Sequence, residues 1–421
     1  SKYVSQNILG MIGFSCYVLA DSYFISIAKG ADGLTALNLV MPLYSIIFSI
    51  GEMIGVGSAI RYAISKIKKD ADADDYFWNA LIWCILSSML FVFAGIFFSA
   101  DIMRVLGADE HIVAVGNNYT KIFMCFAPMF MCNYVTNAFV RNDGAPGIAM
   151  SATLFSSLFN IVFDYILMFP MNLGMEGAAL ATALSPIIGM GICSIHFFSK
   201  KSSVRLVVCK PSVRKLVAGC QLGVSAFVGE MSSAVITLAF NFVILKLAGN
   251  VGVAAYGVVA NIAIVTTAVF NGVAQGSQPL ISSCFGRGDK DGCTQLKRMG
   301  YTTAFVLAAV MYSILFIFAG QFVAVFNSEG SEMLRLYATE GVKLYFIGIF
   351  FAGINIVGGG AFSATEDAFK AAVVSVARGF VLILGAVFVM SALFGMTGVW
   401  LAYAVAEGIT TFIMLVMVLR V

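Results

Sequence analysis

Long apolar runs, each ended by a short cluster of Gly, Asn, Asp, Lys or Arg, recur from the first residues of this chain to the last. A helix needs about 20 apolar residues to cross the hydrocarbon of a bilayer. Twelve runs of that order can be marked, over 3–28, 34–64, 76–100, 115–141, 147–170, 175–199, 215–247, 252–284, 297–323, 332–365, 368–394 and 397–420. The pattern predicts an all-α integral membrane protein with twelve transmembrane helices. Composition narrows the alternatives: 60% of the 421 residues are hydrophobic and 11% are charged. A soluble surface carries about 25% charged residues, and disorder needs low hydrophobicity with high charge, so neither class fits.

Charge placement orients the spans, because Lys and Arg stay on the cytoplasmic side. With both termini inside, the outer regions hold only Lys29, Arg104, Lys121, Lys246, Arg335 and Lys343, and the rest of the 25 basic residues, Arg378 and Arg420 among them, fall to inner regions. An error of one span would scramble that partition. The formal net charge of +3 is too small to suggest nucleic acid. Nine cysteines lie mostly inside apolar runs without a C-x-x-C pair, which reads as packing rather than disulfides or zinc. No G-x-x-x-x-G-K-[ST] loop occurs, so ATP is not the fuel, and His111 and His196 are too far apart for a H-E-x-x-H metalloprotease.

The halves echo one another. Gly33, Ala36 and Gly57-Ser58 recur at an offset of 219 as Gly252, Ala255 and Gly276-Ser277, and Gly174-x-x-Gly177 echoes Gly395-x-x-Gly398 at 221. Six spans per half is an even number, so the two halves insert alike and relate by a pseudo-two-fold axis along the membrane normal. The expected division is an N-terminal lobe over 1–200, a basic cytoplasmic linker over 201–214 and a C-terminal lobe over 215–421. A cleft between two such bundles suits alternating access.

An acidic side chain inside a span costs about 2.5–3.5 kcal/mol or more, so it needs a partner or a purpose. Asp21, Glu52, Asp164, Glu230 and Glu407 are such residues. Asp21 lies eight residues before Lys29, Asp164 eight before Asn172, and Thr182 eight after Gly174. At 1.5 Å per residue all three sit about 12 Å below the outer surface. Asn160 is one turn from Asp164 on the same face, Tyr17 stands likewise below Asp21, and Asn137 of span 4 could bond either carboxylate. Two carboxylates, a carboxamide and a hydroxyl form the oxygen-rich set that a hard cation takes, and a proton could take the metal's place. The alternative is a structural hydrogen-bond network. Asp21 maps onto Phe240, and Asn160/Asp164 fall near Leu384 and Phe388, so the cage belongs to the first half only. Glu230 could face the cleft and attract a cationic compound, or bond its neighbouring serines. Glu52 and Glu407 read as packing partners or gate hydrogen bonds, and Pro42, Pro128, Pro186 and Pro279 mark possible hinges.

Val-Leu-Ala-Asp-Ser-Tyr-Phe-Ile (18–25), Gly-Ala-Asp-Gly-Leu-Thr-Ala-Leu (30–37), Arg-Asn-Asp-Gly (141–144), Asn-Ile-Val-Phe-Asp (160–164) and Gly-x-x-Gly-Ala-Ala-Leu-Ala-Thr (174–182) resemble the multidrug and toxic compound extrusion (MATE) family, in its DinF-like branch. The resemblance implies a two-lobed antiporter of the plasma (inner) membrane, with both termini cytoplasmic, acting as a monomer. It would export amphipathic, often cationic small molecules against H⁺ or Na⁺, without a cofactor. It places a first-lobe site for a monovalent cation at Asp21, Asn160, Asp164 and Thr182, with Tyr17 and Asn137 as supporting groups. A second-lobe site in another branch uses acids of spans 7 and 10; Glu230 fits the first, whereas span 10 offers Asn355, so these two are the substrate-cleft candidates. A lipid-linked sugar flippase of the same superfamily would line its cleft with arginines, and only Arg61 and Arg141 stand out in the first half. A major-facilitator carrier would carry a basic loop between spans 2 and 3, where Lys66-Ile-Lys-Lys-Asp-Ala-Asp-Ala-Asp-Asp75 stands instead. An integral-membrane enzyme would need a nucleophile with a base, or metal ligands, near one interface.

Overall fold

The computed structural model describes residues 2–326 and 331–419; Arg420, counted above among the inner cations, lies outside them. Among the described residues every regular element is helical. Nine helices each long and apolar enough for one crossing are Tyr3–Lys29, Thr35–Lys68 and Asp75–Val105 (spans 1–3), Pro146–Met168 and Gly174–Phe197 (spans 5 and 6), and Val213–Gly249, Val251–Gly286, Lys290–Ile317 and Glu332–Ala364 (spans 7–10). A tenth, Ala368–Val418, has 51 residues. At 1.5 Å per residue that is about 76 Å, more than twice a hydrocarbon core of about 30 Å. It divides at Gly395, whose φ of 58° and ψ of −136° interrupt the helix, giving spans 11 (368–394) and 12 (396–418).

Span 4, expected as one continuous run, is a pair of helices, Glu110–Cys125 and Ala127–Asn142, bent by 46°. Pro128 stands in the first turn of the second helix. Its missing N–H leaves the preceding turn without one rung of the ladder, and the chain bends there. Counting the bent pair once and Ala368–Val418 twice, the spans number twelve.

Two separate hydrophobic cores organise these spans. One gathers buried residues from Ile25 to Leu222, the other from Phe240 to Ala406. Leu90, Phe97, Phe305 and Phe412 are among the large apolar side chains left exposed around the outside, as a lipid-facing belt requires.

The contacts between the lobes repeat the offset seen in the sequence. A Cβ on Gly57 would meet Gly219 O at 2.0 Å and Gly223 N at 2.7 Å, and one on Gly276 would meet Val4 Cα at 2.7 Å. Adding 219 to Gly57 gives Gly276, and subtracting 219 from Gly223 gives Val4. The contact of span 2 with span 7 is therefore the pseudo-symmetric mate of the contact of span 8 with span 1. Equivalent chain turns agree as well, since Gly174 and Gly395 both take positive φ, 53° and 58°, a conformation that glycine adopts without a Cβ clash.

The segment after span 6 is fastened to the first lobe by Asp143. Its carboxylate accepts from His196 Nε2 at 2.8 Å, Ser203 N at 2.9 Å, Ser203 Oγ at 2.6 Å and Tyr62 OH at 3.1 Å. The side chain is only 3% exposed. Removing it orphans the buried His196 and Tyr62 donors at once, each costing about 1–3 kcal/mol. Asp143→Ala is expected to lower the melting temperature and, by freeing the backbone, to speed trypsin cleavage at the already exposed Lys200, Lys201 and Arg205; an unchanged cleavage rate would show that the linker is held by something else.

Candidate functional site

Span 1 lies against span 5 in parallel at a constant register. Gly10 approaches Met150, Gly13 approaches Leu154, and the Phe24 and Tyr165 rings are 6.2 Å apart. These offsets of 140 to 141 residues put Asp21 level with 161–162, within one turn of both Asn160 and Asp164. Spans 5 and 6 form an antiparallel hairpin in which Ser156 Oγ donates to Ser185 O at 2.7 Å, and the same register sets Asn160 opposite Thr182 at 3.2 Å. Lys29 Cε comes to 3.3 Å of the position of a Gly174 Cβ, so the two loops used for the depth arithmetic are at the same height.

The fold therefore brings these four side chains to one height on neighbouring helices. Asp21, Asn160, Asp164 and Thr182 are 6%, 0%, 0% and 1% exposed, and Asp21 and Asp164 are near enough to influence each other electrostatically. The Asn160 amide is satisfied at both ends: the nitrogen donates to Asp164 Oδ2 at 3.1 Å, and the oxygen accepts from Thr182 N and Oγ1 at 3.2 Å. Asp21 Oδ1 and Asp164 Oδ1 are buried without a hydrogen-bond donor. Two buried carboxylate oxygens lacking a donor are costly unless something positive joins them, and each lone pair there can accept an ion or a proton.

Around the cage, Tyr17 lines the interlobe cavity and feels Asp21, Asp164 and Glu230. Ser157 and Ser185, each three residues from Asn160 or Thr182, line the same cavity. Asn137 does not serve the carboxylates as expected: its amide donates to Ala149 O at 3.1 Å and Thr153 Oγ1 at 3.2 Å. The bend of span 4 and the nearer turn of span 5 bring it against the start of that helix instead. The sequence reading missed Tyr44 and Tyr119, whose hydroxyls bond each other within electrostatic reach of both aspartates. A tyrosine in an apolar run resembles a packing ring, and only the tertiary fold turns these two toward the acids. In the second lobe the place of Asp21 is taken by Phe240, buried and stacked on Tyr256 with centroids 5.0 Å apart.

Between the lobes lies a cavity enclosing roughly 1730 Å³ of space, its open mouth included. Glu230 and Asn355 both line it, together with Glu52, Arg141 and Arg378. Glu52 accepts from Gln275 Nε2 at 3.3 Å, and Gln275 Oε1 accepts from Arg141 Nη1 at 2.7 Å, so a hydrogen-bonded chain crosses from spans 2 and 4 to span 8. Closure continues toward the linker through Arg61, which bonds both Glu366 and Ala218 O, and through Lys68 with Glu366 at 3.5 Å. At the opposite end, among the described residues, polar contacts made within a single lobe include His111 with Asp32 at 2.9 Å and Asn118 with Glu176 at 2.6 Å in the first, and Thr397 with Glu340 at 2.7 Å in the second.

Arg378 corrects its earlier placement among the inner-end cations. It sits ten residues into its apolar run, on a π-helical turn over Ala377–Val381, and pairs with Glu407 through Nη2 at 2.6 Å and Nε at 3.2 Å. A guanidinium is tolerated at that depth because a carboxylate meets it along one edge. A charge inside the run, rather than at its end, was the signal available in the sequence.

The MatE family model matches this chain twice, over residues 7–166 and 226–389, once in each lobe. The chain is 27% identical over 405 residues to the multidrug export protein MepA of Staphylococcus aureus (strain MRSA252), covering 93% of this chain and 87% of that protein. It is 26% identical over 400 residues to MepA of Staphylococcus saprophyticus, with the same shares. Among solved structures, an outward-facing multidrug resistance MATE family transporter of the MOP superfamily superposes with a TM-score of 0.92 at 20% identity, covering 99% of this chain and 94% of that one.

Proposed function

This chain belongs to the MatE family, and from that premise we propose that it is a cation-coupled exporter of small amphipathic, often cationic compounds across the plasma membrane. It is a transporter and not an enzyme. The names of its Staphylococcus relatives support multidrug export. The observation that carries the coupling is the pair of buried carboxylate oxygens, one on Asp21 and one on Asp164, that no protein donor satisfies. A proton or a sodium ion bound there, with Asn160 and Thr182 fixing Asp164, neutralises the pair. Tyr17 lines the cargo cavity and feels both aspartates, so filling the cage changes the cavity wall.

In this reading the lobes comprise 1–200 and 215–421, and residues 201–214 form a cytoplasmic linker. Both termini are cytoplasmic and the monomer is the working unit. The end closed by Gly57, Gly223, Arg61 and Glu366 then faces the cytoplasm, and the cavity opens outward. Cargo leaves from Glu230 and Asn355 into the outer medium, the cation enters the cage, and the lobes rock to open the linker end. Loss of the cation inward resets the cycle, the reciprocal coupling that antiport requires.

Reconstitution into proteoliposomes with separately imposed pH and sodium gradients tests this. Dye movement is expected under one gradient and is expected to stop when that gradient alone is collapsed. Transport that survives collapse of both gradients would remove cation coupling.

A further inference from the structure

The structure assigns Glu366 as an ionic latch that holds the linker end of the lobes shut, at a turn position that its counterpart in the first half leaves to glycine. The assignment rests on the reading that the lobes rock apart at that end, and it names the side chain whose charge sets how readily they do so.

Spans 4 and 10 stop in the same way. After span 4, Ala145 N donates to Val140 O at 3.1 Å and Gly144 takes a φ of 85°; after span 10, Asp367 N donates to Phe362 O at 2.9 Å and Glu366 takes a φ of 59°. In each turn the backbone bond reaches back over the helix end while the residue before its donor lies in the left-handed region. The next helix then opens at once, at Pro146 and at Ala368. From 144 to 366 is 222 residues, as it is from 140 to 362 and from 145 to 367, so the two turns are copies of one another. Glycine adopts the left-handed conformation freely, whereas a residue with a Cβ is strained by it. A glutamate at that position gains nothing from its own turn.

The gain lies across the interface. Glu366 Oε1 accepts from Arg61 Nη1, and Oε2 pairs with Lys68 Nζ at 3.5 Å; both cations belong to span 2. Arg61 Nε also donates to Ala218 O of span 7 at 3.2 Å, so this arginine joins the second lobe at two points. The end of span 2 makes the same exchange with the opposite sign: Lys69 has a φ of 60°, and 219 residues on, after span 8, Gly288 has a φ of 73°. The mate of this contact carries no latch. There Arg61 corresponds to Leu280, Lys68 to Arg287 and Glu366 to Gly144, so no carboxylate is available, and Arg287 Nη1 donates instead to Ser283 Oγ at 3.0 Å.

Strain and latch act on different equilibria. The turn lies within one lobe, so its strain is the same whether the lobes are shut or apart. The bonds to Arg61 and Lys68 exist only when they are shut. The Arg61 and Glu366 side chains are 25% and 22% exposed, so dissolved salt reaches the pair and weakens it.

Glu366→Gly relaxes the turn and removes the charge, whereas Glu366→Gln removes the charge alone, and the two together separate these roles in the purified full-length protein. Spin labels on ketone amino acids replacing the exposed Ala71 and Thr294 report the distance between the lobes at this end, and a melting curve reports stability. Gly57→Val, whose added side chain meets Gly219 O, is the background, so that shut and open arrangements are both populated. Both substitutions at 366 are expected to lower the ratio of shut to open several-fold. High salt is expected to do the same where Glu366 is kept and to have less effect on either variant. The melting temperature of Glu366→Gly is expected to match or exceed that of Glu366→Gln. Asn172→Gly changes the remaining non-glycine residue with positive φ, in the turn between spans 5 and 6, and is expected to leave the distances unchanged. Unchanged distances in both Glu366 variants, or an equal shift in Asn172→Gly, would overturn the latch. A shift in Glu366→Gly without one in Glu366→Gln would overturn it too, because relaxation of the turn and not charge would then set the opening. Lobes that respond as expected in a protein that moves no dye under either gradient would uphold the latch and remove the export reading.

Discussion

Asp21→Asn and Asp164→Asn are each expected to lower gradient-driven dye export on the order of 100-fold, the upper range of a coupling free energy between two sites, while cargo binding to the purified protein persists. Asparagine keeps the volume of aspartate, so packing among spans 1, 5 and 6 survives. Its amide cannot neutralise an arriving cation, and it presents one acceptor oxygen where the carboxylate presents two. At Asp164 the loss is compounded, because the Asn160 amide that donates to Oδ2 then faces an amide instead of a charge. The two sites act as one ligand set. The double variant is therefore expected to be no worse than the more damaging single one, since residues sharing a network do not add. The measurement is the initial rate of dye movement in proteoliposomes under the driving gradient, with anisotropy titration for binding. Full transport by either variant would show that its carboxylate is outside the coupling step.

Bulk added at the closed end of the lobes is expected to have an effect of similar size by a different route. A Cβ on Gly223 would lie 2.0 Å from Met53 O, and one on Gly57 would lie 2.0 Å from Gly219 O. Both obstacles are backbone, so no side chain can swing away. Overpacking of this kind costs about 1–3 kcal/mol or more, and here the cost falls only on the arrangement in which the linker end is shut. About 3 kcal/mol shifts a two-state equilibrium on the order of 100-fold. Gly57→Val and Gly223→Val are expected to deplete the conformer described here, which spin-label distances between spans 2 and 7 would register as a longer separation. Transport falls because one limb of the cycle is lost, not because cargo or cation binding is. Unchanged distances with unchanged export would mean that the helices slide apart there without consequence.

The parts of this architecture that were legible beforehand share one property: each is local or periodic along the chain. Span count follows from apolar run length, because a bilayer fixes how many residues a crossing takes. The duplication follows from glycines at a constant offset, and it reappears in three dimensions as the paired contacts of Gly57 with Gly223 and of Gly276 with Val4. The shared height of Asp21, Asp164 and Thr182 follows from counting residues back from loops, since helical rise is constant. The continuous fourth span was misjudged because a proline in an apolar run can either kink a crossing or be absorbed in it, and neighbouring helices decide which.

By itself, then, the sequence determined that this protein lives in a membrane, how many times it crosses, that it is built twice from one plan, and which acids are too expensive to be idle. Only the tertiary structure decided which faces of those helices meet. It turned Asn137 toward Thr153, brought Tyr44 and Tyr119 together within electrostatic reach of the aspartates, and moved Arg378 from a loop count to the wall of a cavity. The reason is rotational: residue spacing fixes height along a helix, but the azimuth at which a side chain leaves it acquires meaning only against a neighbour, and every neighbour here is a distant segment of the chain.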